Sequence, residues 1–112
     1  MRVGSRMTLL KSVTMEWLME DRIDAGAGQS LAKMTVQVGV TSEAHSHSNC
    51  TETVHVLSGC IEQRIDETWR TMAAGETCLI PIDVVHQTQN VGDEPAVMMI
   101  AYSSGVRIYN KS

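Results

Sequence analysis

The chain has 112 residues and a formal charge of −4, from 9 Lys and Arg against 13 Asp and Glu, which allows one compact domain and is too short for two. No block of five or more like charges occurs, so the concentrated basic surface that phosphate binding draws on is absent and nucleic acid is not an expected partner. Every apolar run is interrupted well before the roughly 18 residues a membrane-spanning helix needs, and the stretch around Arg2, Arg6 and Lys11 lacks the apolar run of a secretion signal; the expectation is a cytoplasmic protein with no membrane partner.

The only candidate helix covers residues 13–22, where Met15, Trp17, Leu18 and Met19 crowd too densely for a clean amphipathic stripe. A short extended segment fits equally well. Gly26 and Gly28 then mark a loop. From residue 31 onward the pattern becomes a succession of short strands, expected at 31–38, 52–57, 60–65, 69–72, 77–80, 86–90, 96–102 and 106–109. The connections between them carry Gly, Asp, Asn and Pro, and none has room for a crossover helix of a dozen residues. This predicts an all-β antiparallel barrel or sandwich over residues 31–112, with residues 1–30 as an N-terminal arm or peripheral strand. A domain this small buries only about 60 to 65% of its unfolded surface, which makes a homodimer the expected assembly.

The three cysteines are odd in number and form no CxxC pair, so reduced thiols are expected. Cys60 and Cys78 fall in strands as small apolar residues, whereas Cys50 sits between His47 and Glu52, close to the chemistry described next.

The connection 39–51 is the longest, and it carries His45 and His47. Side chains two apart in an extended segment point the same way, so both imidazoles can meet one ion. Glu52 opens the next strand and His86 another. Three neutral imidazoles and one carboxylate suit Mn²⁺, Fe²⁺, Co²⁺, Ni²⁺, Cu²⁺ or Zn²⁺. Periodicity alone leads to a β-barrel with a candidate metal site and no further. By the same alternation His55 points away from Glu52, toward the surface or a dimer contact.

Two motifs carry a resemblance. Gly39, five residues, His45-x-His47, four residues, Glu52, six residues and Gly59 match the first signature of the cupin superfamily. Gly75, Pro81, His86 and Asn90 resemble the second, with Asp83 standing where that motif has its second glycine. Asp tolerates positive φ better than most residues, so the turn is expected to survive. The resemblance implies a cupin, or double-stranded β-helix (jelly-roll) barrel. It further implies that His45, His47, Glu52 and His86 hold one divalent transition metal ion.

No catalytic side chain beside the ion can be located from the sequence, so the metal is expected to carry the chemistry. Met34, Val36, Gln63, Thr88, Asn90, Met98, Ile100 and Tyr102 are the expected pocket lining. Eight methionines and no phenylalanine suggest a compliant apolar pocket for an aromatic or polyketide-like small molecule. The leading expectation is a metal-dependent dioxygenase-type enzyme acting on an enolisable or phenolic substrate. The alternatives are a metal-dependent isomerase, cyclase or lyase, and a non-catalytic module that binds a small molecule.

Overall fold

The computed structural model describes residues 2–10 and 12–112; Met1 and Lys11, which fall in the expected N-terminal arm, lie outside the described residues. Among the described residues there are strands and no helix, and therefore none long and apolar enough to cross a membrane. The strands are β1 (Arg6–Leu10), β2 (Val13–Met19), β3 (Ser30–Val36), β4 (His45–Ser46), β5 (Glu52–Ser58), β6 (Cys60–Ile65), β7 (Thr68–Ala73), β8 (Thr77–Ile80), β9 (His86–Asn90), β10 (Ala96–Tyr102) and β11 (Asn110–Lys111). They form two sheets, ordered β1-β2-β3-β10-β5-β8 and β11-β4-β9-β6-β7, with every pairing antiparallel. This is the all-β jelly-roll barrel that the motifs implied.

The core follows from strict alternation. Ala32, Met34 and Val36 of β3, Val54 and Val56 of β5, Ile61 and Gln63 of β6, and Met98 and Ile100 of β10 are all buried. Successive side chains of a strand face opposite sides, so each strand places one set in the barrel and the other outside.

Residues 13–19 form a strand and not a helix, because Val13, Met15 and Trp17 alternate inward and pair with β3. The apolar crowding at Trp17, Leu18 and Met19 has a physical origin. Trp17 lies opposite Ala32 and Met19 opposite Leu31, so a bulge absorbs one residue and breaks the alternation there. Together β1 and β2 extend the six-stranded sheet.

The strand expected at 106–109 does not form. Asn49 occupies the backbone instead: its Nδ2 donates to the Val106 carbonyl at 2.7 Å and its Oδ1 accepts from the Ile108 N–H at 2.9 Å. His47 takes the Ile108 carbonyl at 2.8 Å. With these groups bound by side chains, pairing resumes only at Asn110 and Lys111, opposite Ser46 and His45.

Two turns control register. Gly59 has φ +86°, and a Cβ there would lie 2.9 Å from the Ala96 Cα, so the β5–β6 turn has no room for any side chain. Asp83 adopts φ +67°, the left-handed conformation expected where the motif ordinarily has glycine. We predict that Gly59→Ala lowers unfolding free energy in urea titration by about 1 to 3 kcal/mol, whereas Asp83→Gly stays within about 1 kcal/mol of the parent. Equal losses for both would show that close approach to Ala96 does not control this turn.

Candidate metal centre

His45 and His86 are register partners across β4 and β9 of the five-stranded sheet. His47 follows β4 directly, and Glu52 begins β5 of the opposite sheet, paired with Ile80 and Tyr102. One ligand-type atom from each of His45, His47, Glu52 and His86 lies within 4.8 Å of every other. The cluster therefore spans both sheets at one end of the barrel.

Each imidazole is oriented from behind. Nδ1 of His45 meets the Glu43 carbonyl at 2.7 Å, Nδ1 of His47 the Ile108 carbonyl at 2.8 Å, and Nδ1 of His86 the Val84 carbonyl at 3.0 Å. A carbonyl can only accept, so Nδ1 carries the proton in each ring and the neutral tautomer presents a bare Nε2 lone pair. Nε2 of His47 and of His86 each lie 3.1 Å from Glu52 Oε1. Two acceptors at that distance repel unless a proton or a metal cation compensates them. Among the described residues the buried Nε2 of His86 makes no hydrogen bond of regular geometry, although Glu52 Oε1 lies 3.1 Å away. A buried orphan nitrogen, backed by a carbonyl and facing a carboxylate, is the arrangement of a metal-ligating histidine. The donor set fits a divalent transition ion.

The charges respond to this crowding. Burial first, then His86, pushes His45 down to about 4. Burial alone would raise the Glu52 carboxyl, but the imidazoles of His47 and His86 outweigh it and bring it to about 2. Burial acts to lower His86, yet contact with Glu52 and its charge prevail and the group is raised above 6.5.

A cavity of about 340 Å³ opens beside His45, Glu52 and His86. Leu9, Val13, Met15 and Met34 give it an apolar wall, while Ser42, Thr88, Tyr102, Arg107 and Tyr109 add polar groups.

A family model for the cupin domain matches residues 32–102. The chain belongs to the cupin family. It is 33% identical over 82 residues to germin-like protein 1-1 of Oryza sativa subsp. japonica, covering 69% of this chain and 38% of that protein. It is 34% identical over 103 residues to polyketide synthase CurC of Streptomyces cyaneus, covering 91% of this chain and 60% of that one. The chain thus spans less than two thirds of the length of either relative. A solved structure of oxalate oxidase superposes with a TM-score of 0.82 at 23% identity, over 93% of this chain and 57% of that one, a likeness of fold.

Of the residues expected to line the cupin's pocket, Met34, Thr88 and Tyr102 do so. Val36, Gln63, Asn90, Met98 and Ile100 do not: they share the inward face but are buried among other core side chains. Gln63 is occupied by Thr88, whose hydroxyl donates to its Oε1 at 2.7 Å. Asn90, at the far end of β9, donates to the carbonyls of Val36 and Glu94 and accepts from the Gly92 N–H, which closes that end of the barrel. Cys50 is buried but outside the four-residue cluster, and burial raises its thiol. His55 bonds Thr77 away from the site, at 2.7 Å.

Arg107 and Tyr109 were not legible as site residues. Tyr109 stacks on His45 with ring centroids 4.4 Å apart and donates to Glu43 at 2.8 Å. Their i, i+2 spacing was the available signal, but it points into the cavity only because Asn49 holds residues 106–108.

The raised His86 gives a signed expectation for metal uptake. Its proton is retained in the metal-free fold to a pH above 6.5, and a ligand must shed that proton before it donates to an ion. Calorimetric titration with Zn²⁺ should show affinity falling as pH drops, with the steepest change above 6.5 and protons released on binding. A flat affinity between pH 6 and 8 would remove His86 from the ligand set.

Proposed function

We propose that this cupin is a metal-dependent enzyme acting on an enolisable or phenolic small molecule, with dioxygenase-type chemistry, and that His45, His47, Glu52 and His86 hold its single divalent transition metal ion. The carrying observation is the orphaned, buried Nε2 of His86, aimed with two other imidazoles at Glu52. When bound, such an ion supplies Lewis acidity and a template for two adjacent substrate oxygens.

The chain's own residues set the conditions. The carbonyls of Glu43, Val84 and Ile108 hold the imidazoles in the ligating tautomer. Leu9, Val13, Met15 and Met34 give the space a ring would fill an apolar wall. Tyr102 is buried beside Glu52, and both burial and that charge push its phenol well above the usual range, so it stays protonated with its O–H directed to the Glu52 carboxylate.

A second reading, a metal-dependent isomerase, cyclase or lyase, is favoured by the similarity to polyketide synthase CurC over 91% of the chain. Oxygen uptake and product analysis on a panel of β-diketones and flavonols, run aerobically and anaerobically, separate the two. The dioxygenase reading requires oxygen consumed in proportion to substrate; conversion under argon supports the second, and binding without turnover identifies a non-catalytic module.

Elemental analysis should find about one equivalent of transition metal in the parent and at least a tenfold loss of affinity in His45→Ala, His47→Ala, Glu52→Ala and His86→Ala, each checked for folding by circular dichroism. Retention of one tight equivalent by all the folded histidine variants would place the ion elsewhere.

The homodimer belongs to the same proposal. Leu31, Ala101, Thr53 and Leu79 lie side by side across β3, β10, β5 and β8 on the outer face of the six-stranded sheet, with Leu31 and Leu79 exposed. Sedimentation equilibrium at tens of micromolar should show a species of twice 12.3 kDa, and Leu79→Lys should shift it toward monomer.

A further inference from the structure

A second cavity, of about 220 Å³, adjoins the metal cavity and shares Thr8, Arg107 and Tyr109 with it. Arg6, Arg22 and Arg107 all line it, against a single carboxylate, Glu20. That carboxylate is fully engaged: Arg6 grips it through Nε at 2.8 Å and Nη2 at 3.1 Å. Two positive charges are left without a counter-charge. Arg22 is exposed, and among the described residues its side chain makes no hydrogen bond or ion pair.

Arg107 is the more telling of the two. Its guanidinium lies 5.0 Å from the Trp17 ring, 5.3 Å from Tyr102 and 5.1 Å from Tyr109. Such contacts use the faces of the guanidinium and leave its in-plane N–H groups to be satisfied separately. Among the described residues only one of its five donors meets an acceptor, the Tyr102 oxygen, at 3.5 Å. Among the described residues no carboxylate pairs with it. A half-buried cation held in place by three aromatic rings, with unfilled donors and standing between two cavities, is organised for an incoming oxyanion.

We propose that this annex is an anion subsite, and that the substrate carries a carboxylate which docks on Arg107 and Arg22 while its phenolic or enolic oxygens face His45, Glu52 and His86. The second half of this statement rests on the metal-dependent reading above; the first does not. A planar carboxylate matches the fork of Arg107 with two parallel hydrogen bonds. Trp17 and Val106 in the annex wall suit the carbon chain that would connect it to the ring.

The test uses three main probes in isothermal titration, with phenyl phosphate as a fourth for comparison. They are 3-(3,4-dihydroxyphenyl)propionate, which has both groups, 4-ethylcatechol, which lacks the carboxylate, and 3-phenylpropionate, which lacks the chelating oxygens. With metal-loaded parent protein the first should bind about 10-fold more tightly than the second, the usual scale of a charged hydrogen bond. Arg107→Gln should abolish that preference while leaving metal stoichiometry unchanged. Arg22→Gln, at an exposed position where folding is not at stake, should reduce it about 2- to 5-fold.

With EDTA-treated protein, 3-phenylpropionate should still bind, and Arg107→Gln should still weaken it. If the metal reading fails, the catechols lose their advantage over non-chelating analogues but this arginine dependence persists. Equal affinity of the parent for dihydroxyphenylpropionate and ethylcatechol, or a preference unchanged in both arginine variants, overturns the subsite. Phenyl phosphate binding more tightly than 3-phenylpropionate would overturn the carboxylate assignment in favour of a phosphate.

Discussion

Three imidazoles converge on one carboxylate because each is held by its far nitrogen. The Nδ1–H groups of His45, His47 and His86 are committed to backbone carbonyls, and this fixes both ring orientation and tautomer. What remains is a set of lone pairs turned toward a buried carboxylate, with the Tyr102 phenol beside it. Taking such a carboxylate out of water costs several kcal/mol unless a proton or a cation compensates it. The depressed Glu52 and raised His86 are two sides of that compensation in the metal-free chain, and a divalent ion would perform it more completely. Two of the anchoring carbonyls, Glu43 and Val84, lie two residues before the histidine they hold, so local strand geometry places them. The third, Ile108, comes from the far end of the chain.

That long-range anchor makes residues 103–111 part of the site. Asn49 binds the segment from both sides at Val106 and Ile108, and the same run of backbone delivers Arg107 and Tyr109 to the cavity wall. The cupin family match covers residues 32–102, so Arg107 and Tyr109 lie outside the matched segment. A rigid barrel with a variable rim is a common division of labour: the scaffold fixes the reacting centre, and the loops choose what reaches it. The N-terminal strands contribute as well, with Leu9, Val13 and Met15 in the apolar wall and Trp17 supporting Arg107.

The two ends of the barrel are built on different principles. At the far end Asn90 donates to the carbonyls of Val36 and Glu94, and Gly59 allows backbone to press on Ala96. Between the ends Ile61, Met98, Ile100 and Val56 form a dry core. At the near end the chain accepts buried polar groups and a cavity, and the stability lost there is offset by the close packing below it.

Much of this was legible in residue order. Alternation over two residues is a local property, and it fixed most strands, their inward faces and the shared direction of His45 and His47. The spacing of two glycine-bounded motifs pointed to the barrel and to the four candidate ligands, and Asp83 behaves as its chemistry suggested, with positive φ. The failures share one cause. Residues 13–19 obscured their strand through a bulge that exists only in pairing with β3; residues 106–109 lost theirs to a side chain 57 residues away. Inward parity likewise could not separate Met34, which borders the cavity, from its register partner Met98, which is sealed in the core, since what faces each side chain across the barrel is decided by its strand's place in the sheet. The sequence by itself determined which face most strands turn inward and, through its resemblance to the cupin motifs, which four residues are candidate ligands. Only the tertiary structure decided where the cavity lies, which tautomers the histidines hold and how Arg107 comes to border it, because each depends on groups brought together from distant parts of the chain.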